Sequence, residues 1–221
     1  MKTALPLGPI EDERTCRIRA IAGLSGDAQQ LFAESLAQAP TLDWDRIDRA
    51  RRFALERAYD HPGMTTAAYL EHPFRVASLT VELDPGLETD TLVIALLHNV
   101  LEVSDSTVQD LSAQFGDEPA TVIADLTVDR ARPTDEYREL YYSRLAAGAR
   151  SGMVVKVIDK LDNLFTLCLN PDARVRADYL AEVERWIVPM TYRELPALAE
   201  YFLALVEDCR VTGHWDLAPE R

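Results

Sequence analysis

Three apolar stretches of this chain carry side chains that could together bind a metal ion. The stretches are His72-Pro73-Phe74-Arg75-Val76-Ala77, Ala95-Leu96-Leu97-His98-Asn99-Val100-Leu101-Glu102 and Val157-Ile158-Asp159-Lys160-Leu161-Asp162-Asn163-Leu164. Imidazole and carboxylate ligands suit a divalent ion such as Mn, Fe, Zn or Co. Because these residues come from separate segments, they can meet only inside a helical bundle, where facing helices project side chains inward.

His98 follows Thr91-Leu92-Val93-Ile94-Ala95-Leu96-Leu97, a stretch with no polar residue after Thr91. A histidine in such a place must find a hydrogen-bond partner or bind a ligand. Glu102 stands four residues later, so a helix would place both side chains on one face. A core histidine with an internal hydrogen bond is the alternative. The pair favours a metal site with a general acid or base beside it.

Asp159 lies among valine, isoleucine and leucine residues, where an unpaired carboxylate is costly to bury. Asn163 follows it by one helical turn, and His72 lies on the apolar stripe of its own predicted helix. Three polar positions within apolar segments favour one shared site. The alternative for Asp159 is a salt bridge to a nearby cation, namely Lys156, Lys160 or Arg75.

Other polar residues are weaker candidates. His61 precedes Pro62-Gly63 and is expected in a loop, while His214 lies in a polar C-terminal segment. Arginines could line a phosphate pocket, although a solvated loop and helix start is the favoured interpretation; they are Arg130, Arg132 and Arg138. We find no GxSxG, P-loop or GxGxxG motif, so a serine hydrolase, an NTPase or a Rossmann protein lacks support.

The composition restricts the partners and the compartment. The 221 residues carry a formal net charge of −14, which disfavours long nucleic acid and anionic membranes but permits a small phosphorylated ligand. Three cysteines form no CxxC pair, which is typical of a reducing compartment, and Cys168 and Cys209 are expected in the core. No secretory signal and no apolar run of roughly 18 residues is found. We expect a cytoplasmic protein; homo-oligomerisation stays open.

Helical spacing dominates the chain, whereas strand and hairpin signals are almost absent. We predict one all-α domain over residues 41–210, preceded by a helical extension over residues 1–40 and followed by a tail over residues 211–221. Thr65 or Thr66 should begin a helix that contains Pro73 and ends near Leu83. Glu88 to Val103 should form one further helix. Met153 to Cys168 is predicted to be a helix that Asn170-Pro171 ends.

The three blocks resemble motifs of the hydrolase domain of the RelA/SpoT family, within the HD-domain metal phosphohydrolases. The similarity covers about Arg51 to Leu169. Tyr69-Leu70-Glu71-His72-Pro73-Phe74-Arg75-Val76-Ala77 is similar to PYxxHPxxVA, the block from Leu92 to Glu102 to xxAxLLHDVxED, and the block from Val157 to Leu167 to KLADRLxNxRTL. The resemblance implies an HD-domain bundle of about 9–11 helices, which is the all-α fold expected here.

The resemblance also implies an activity. The family hydrolyses the 3′-pyrophosphate ester of a guanosine nucleotide in the stringent response, and a manganese ion orients the water. By resemblance, Glu102 is a catalytic acid/base or water-orienting group, and Asn163 and Thr166 contact the substrate. The implied metal ligands are His72, His98, Asn99 and Asp159.

Three positions depart from the family pattern. Asn99 stands where the family has the aspartate of the HD pair, so one negative charge is lost from the ligand set. Val103 replaces the second acid of the Glu-Asp pair. The segment from Pro62 to Tyr69 has no Arg or Lys where the family has a basic stretch. A catalytically silent nucleotide- or partner-binding protein is therefore the alternative, and an HD-type oxygenase with two irons is a third hypothesis.

Overall fold

The computed structural model describes residues 5–23, 27–60, 66–129, 131–132 and 134–216, and it is all-α within these ranges. None of the described helices combines the length and the apolar character that a bilayer crossing requires. The helices are α1 Ile10–Ile21, α2 Ala28–Leu36, α3 Trp44–Leu55, α4 Thr66–Leu83, α5 Thr89–Leu97, α6 Val100–Val103, α7 Val108–Phe115, α8 Asp117–Leu126, α9 Asp135–Ala147, α10 Arg150–Thr166, α11 Ala173–Glu182, α12 Val188–Glu194 and α13 Ala199–Thr212.

The predicted all-α bundle is confirmed. A π-helical turn at Val183–Ile187 joins α11 to α12 in one continuous run, and a single turn at residues 98–99 separates α5 from α6. Counting α11, the π-helical turn and α12 as one helix, and leaving out the single turn α6, gives eleven helices within the described ranges, which agrees with the number expected from the sequence.

Local sequence signals set several helix ends. The Asp43 carboxylate accepts a hydrogen bond from the backbone N–H of Arg46 at the start of α3. Thr107 and Asp110 form a capping box at the start of α7, in which each side chain binds the backbone N–H of the other residue. Gly116 then ends α7 with a φ of 88°, a left-handed conformation that glycine adopts without strain.

Residues 28–156 form one compact unit. In its core α5 is buried along its whole apolar length, from Thr91 to Leu97. The Phe32 and Phe74 rings lie 5.9 Å apart between α2 and α4, and the Phe53 and Phe115 rings meet edge to face at 5.5 Å. Aromatic packing of this kind stabilises a core beyond simple area burial.

The predicted single helix from Glu88 to Val103 is wrong in one respect, because it breaks at His98 and Asn99. Asn99 has φ −105° and ψ −2°, close to the bridge region and away from regular helical values. Asparagine has low helix propensity because its side chain competes for backbone hydrogen bonds. The break places His98 at the C-terminal end of α5, and α6 begins at Val100, two residues before Glu102.

Residues 1–27 and 157–221 form the second compact unit. Arg17 on α1 donates from Nε to Asp162 of α10 over 2.8 Å, and both side chains are buried. Desolvation lowers the pKa of Arg17, but Asp162 and Glu13 outweigh it, so the pKa is raised overall. The Tyr201 hydroxyl donates to the carbonyl of Gly8 over 3.0 Å. Within this unit α1 is therefore bound to α10 by a buried ion pair. The division predicted at residues 40 and 210 stays a prediction.

Candidate metal centre

His98 ends the buried helix α5 and is itself only 3% exposed. Its Nδ1 lies 2.7 Å from the carbonyl oxygen of Ala95. A carbonyl can only accept, so Nδ1 carries the proton and Nε2 of the neutral ring carries the lone pair. The hydrogen bond from Nδ1 to Ala95 fixes both the tautomer and the orientation of the His98 ring, as metal-binding histidines require.

His72 lies on α4, one residue before Pro73, and its ring meets the ring of His98 in an edge arrangement. The two Nε2 atoms are 3.3 Å apart, the ring centroids are 5.2 Å apart and the ring planes are 72° apart. For metal–nitrogen bonds of about 2.1 Å, this separation corresponds to an angle of roughly 104° at the ion. The pair therefore has the spacing of two ligands on one cation.

Asp159 joins the two histidines. Candidate ligand atoms of His72, His98 and Asp159 all lie within 4.8 Å of one another. Asp159 stands on α10, a helix that starts at Arg150 and runs without interruption. Two imidazoles and one carboxylate are a donor set that divalent ions such as zinc and iron accept. The donors are therefore chemically suited to a divalent metal ion.

Lys160 and Lys156, two of the three cations that could pair with Asp159, have other contacts, and the salt-bridge alternative itself stays a prediction. Lys160 Nζ lies 3.0 Å from the Glu182 carboxylate and 4.3 Å from the centre of the Tyr179 ring. Lys156 Nζ lies 5.6 Å from the centre of the Tyr141 ring. These three contacts stabilise the two buried ammonium groups by pairing or by a cation–π interaction.

Glu102 lies on α6 and is half-buried. Its Oε1 accepts a hydrogen bond of 2.9 Å from the backbone N–H of Val128, just after α8. This contact orients the carboxylate. The sequence could not indicate it, because the donor is a backbone group whose position depends on the fold.

Asn99 is half-buried in the turn between α5 and α6, and its side chain does not cap α6. Val103 is only 6% exposed, and its carbonyl accepts a hydrogen bond of 2.8 Å from the N–H of Asp60. The side chain at the position where the family has its second acid is therefore buried. The role of Asn99 as a ligand stays a prediction.

Asn163 and Thr166 lie near the end of α10. Asn163 donates from Nδ2 to Oδ1 of Asp159 over 2.7 Å. The Thr166 hydroxyl donates to the backbone carbonyl of Asn163 over 3.2 Å. Their predicted role as substrate contacts stays a prediction.

The weaker candidates have local contacts. Arg132 lies over the Tyr137 ring at 5.3 Å, Arg138 pairs with Asp135 at 2.9 Å, and His214 lies 3.7 Å from Asp216. The remaining candidates lie outside the described residues; they are His61, Arg130 and the part of the non-basic stretch at positions 62–65.

Comparisons with known proteins show the family of this chain. The HD domain family model matches residues 50–182, and this chain belongs to the HD domain family. A guanosine-3′,5′-bis(diphosphate) 3′-pyrophosphohydrolase of Aquifex aeolicus is 32% identical over 126 residues, which are 56% of this chain and 18% of that protein. The human MESH1 enzyme of the same name is 30% identical over 117 residues, which are 52% of this chain and 63% of that protein.

A solved structure of a metazoan ortholog of SpoT that hydrolyzes ppGpp has the same fold. It aligns with a TM-score of 0.60 at 21% identity, over 75% of this chain and 93% of that one. The predicted resemblance to RelA/SpoT-type hydrolases is confirmed by these relatives. The chain spans about a fifth of the length of its bacterial relatives, as the 18% covered in the Aquifex protein shows.

Proposed function

We propose that this chain is a metal-dependent phosphohydrolase that removes pyrophosphate from a nucleotide resembling guanosine-3′,5′-bis(diphosphate). The observation that carries the proposal is the convergence of His72, His98 and Asp159 within 4.8 Å in an HD-domain chain. The similarity to 3′-pyrophosphohydrolases supports the choice of substrate.

His72, His98 and Asp159 would hold the ion, and the amide oxygen of Asn99 would be a fourth ligand. Manganese is the ion that the resemblance favours. A divalent ion in such a site supplies a nucleophile from water at neutral pH and offsets negative charge on a phosphoryl group. Because Asn99 brings no charge, the ligand set is less anionic than that of the family, and we expect weaker metal binding.

The chain's own residues supply the remaining chemistry. Glu102 would take a proton from the attacking water, and its hydrogen bond from Val128 holds the carboxylate in one orientation. The bond from His98 to Ala95 keeps Nε2 directed toward His72. Asn163 and Thr166 would contact the nucleotide, as the resemblance implies.

A second candidate function is binding without catalysis. Val103 has an aliphatic side chain, so this position offers no group that could move a proton. With the neutral Asn99 in addition, the chain would bind a nucleotide or a partner protein and leave it unchanged. An HD-type oxygenase with two irons is a third hypothesis, and a colourless protein with a single metal would oppose it.

The direct test is incubation of the purified chain with Mn²⁺ and ppGpp, ppApp, NADPH and simple phosphoesters, followed by product separation. We expect metal-dependent release of pyrophosphate from ppGpp or ppApp, and none from a His98→Ala variant. No product above that variant with any substrate would contradict the hydrolase. Calorimetry with the same nucleotides would then identify binding without turnover.

The finer properties belong to the same proposal. A hydrolase of this substrate would act in the cytoplasm, where the nucleotide is made, and would contribute to the stringent response. We expect a small phosphorylated nucleotide as its partner. Long nucleic acid and membranes are not expected, because the formal net charge is −14. A homo-oligomer is compatible with each of these properties.

A further inference from the structure

The hydrogen bond between Asn163 and Asp159 joins a residue expected to contact the nucleotide to a residue of the metal cluster. Nδ2 of Asn163 lies 2.7 Å from Oδ1 of Asp159, one helical turn away on α10. An ionised carboxylate has only acceptors, so the amide must present its NH₂ group to it. The contact thus fixes the orientation of the Asn163 amide as well as that of the carboxylate.

The hydrogen bond from Asn163 affects metal binding because it sets the orientation of the Asp159 carboxylate. A short hydrogen bond to an ionised acceptor is among the stronger kinds, and it limits rotation of the carboxylate about its side-chain torsions. A ligand that is already ordered loses less conformational freedom when the ion binds. Groups that orient metal ligands in this way typically change metal affinity about 10–100-fold when removed.

His98 shows the same arrangement with a backbone group. Its Nδ1 donates to the Ala95 carbonyl over 2.7 Å, which a side-chain substitution elsewhere cannot remove. For Asp159 the orienting group is a side chain. Asn163 is therefore a position at which orientation of a ligand can be tested by mutation.

We infer that Asn163 is a positioning residue of the metal centre, which sets the orientation of Asp159 and thereby the affinity of the site for a divalent ion. The inference rests on the proposed function and adds to it. A residue that only contacts the nucleotide would change nucleotide affinity and leave metal affinity as it was. The two roles can therefore be separated without measuring hydrolysis.

The test is titration of the metal-free protein with Co²⁺ and Mn²⁺ in competition with a chromophoric chelator, together with the visible spectrum of the Co²⁺ form. Asn163→Leu keeps the volume and removes the donor, and we expect about 10–100-fold weaker metal binding and an altered Co²⁺ spectrum. Asn163→Gln keeps the amide on a longer stem. We expect the metal affinity of Asn163→Gln to lie between those of wild type and Asn163→Leu. If Asn163→Leu does not fold, the metal affinity of Asn163→Gln tests the inference instead.

Thr166→Val is the matched comparison, since Thr166 lies on the same helix and was predicted to contact the same substrate. Its hydroxyl donates to a backbone carbonyl and not to Asp159, so its metal affinity should equal that of wild type. Wild-type metal affinity and an unchanged Co²⁺ spectrum in both Asn163 variants would overturn the inference. If wild type itself binds neither ion, the metal centre of the proposed function fails instead.

Discussion

The Nε2 atoms of His72 and His98 lie 3.3 Å apart, although 26 residues separate the two histidines in the chain. Two nitrogen lone pairs at this distance repel each other unless a proton or a cation lies between them. The bond from His98 Nδ1 to the Ala95 carbonyl keeps the ring in place. The pair can therefore take a shared cation without moving either ring.

Glu102 can be tested with a substitution that keeps its hydrogen bond. Glu102→Gln retains an oxygen that can accept from the N–H of Val128 but cannot exchange a proton near neutral pH. We expect nucleotide hydrolysis to fall about 10²–10⁴-fold with no change in melting temperature. Glu102→Ala should lose the same activity and also lower the free energy of unfolding by about 1 kcal/mol. Undiminished hydrolysis by Glu102→Gln would show that the residue only orients the loop at Val128.

Asn99→Asp tests whether the missing charge weakens the site. The position is half-buried, so a carboxylate there is tolerated, and we expect tighter Mn²⁺ binding in a titration. Asn99→Leu is the control and should bind less tightly than wild type. Equal affinity in all three proteins would remove residue 99 from the ligand set.

Val103→Asp should not restore the family's acid pair without a loss of stability. The side chain is 6% exposed, so burying a polar group there without a partner costs about 1–3 kcal/mol, and an ionised carboxylate costs more. Asparagine has the shape of aspartate without the charge, so Val103→Asn should be destabilised less than Val103→Asp. Urea unfolding measures both variants. The double variant Asn99→Asp, Val103→Asp tests hydrolysis. If it folds and hydrolyses the nucleotide faster than wild type, the chain differs from the family only in these two acids. If it folds and is inactive, other residues of the substrate pocket also differ from the family.

We predict that the buried ion pair between Arg17 of α1 and Asp162 of α10 contributes strongly to the free energy of unfolding. The two residues are 6% and 1% exposed, and Arg17→Leu would leave the carboxylate buried without its cation. We expect the free energy of unfolding to fall by about 3–5 kcal/mol, and the double variant with Asp162→Leu to recover most of it. Arg52→Leu removes an exposed pair with Asp48 and should cost less than about 1 kcal/mol. Similar losses from Arg17→Leu and Arg52→Leu would contradict this prediction.

Helix ends are easier to predict from a sequence than long-range partners are. The caps at Asp43 and Thr134 and the glycine at 116 are examples, because each signal lies within a few residues of the helix end. His72, His98 and Asp159 could be grouped because polar residues in apolar helices need a partner. Their convergence within 4.8 Å needed the structure.

The features that the sequence did not predict depend on distant parts of the chain. Asp162 lies within the third motif, but its partner Arg17 lies 145 residues away, and no local pattern links the two. The break at Asn99 has no signal in the hydrophobic pattern, because the flanking apolar residues continue the helical period across it. The donor to Glu102 is the backbone of Val128, which has no residue-type signal.

The most direct test of the account is whether a metal ion stabilises this fold through Asp159. Ligand binding to the folded state raises the melting temperature by mass action. We predict that adding Mn²⁺ raises the melting temperature of wild type, that a chelator reverses the rise, and that Asp159→Ala abolishes the response. Asp105→Ala removes an exposed acid and should respond as wild type does. Identical melting curves for wild type with metal and with chelator would contradict the metal centre.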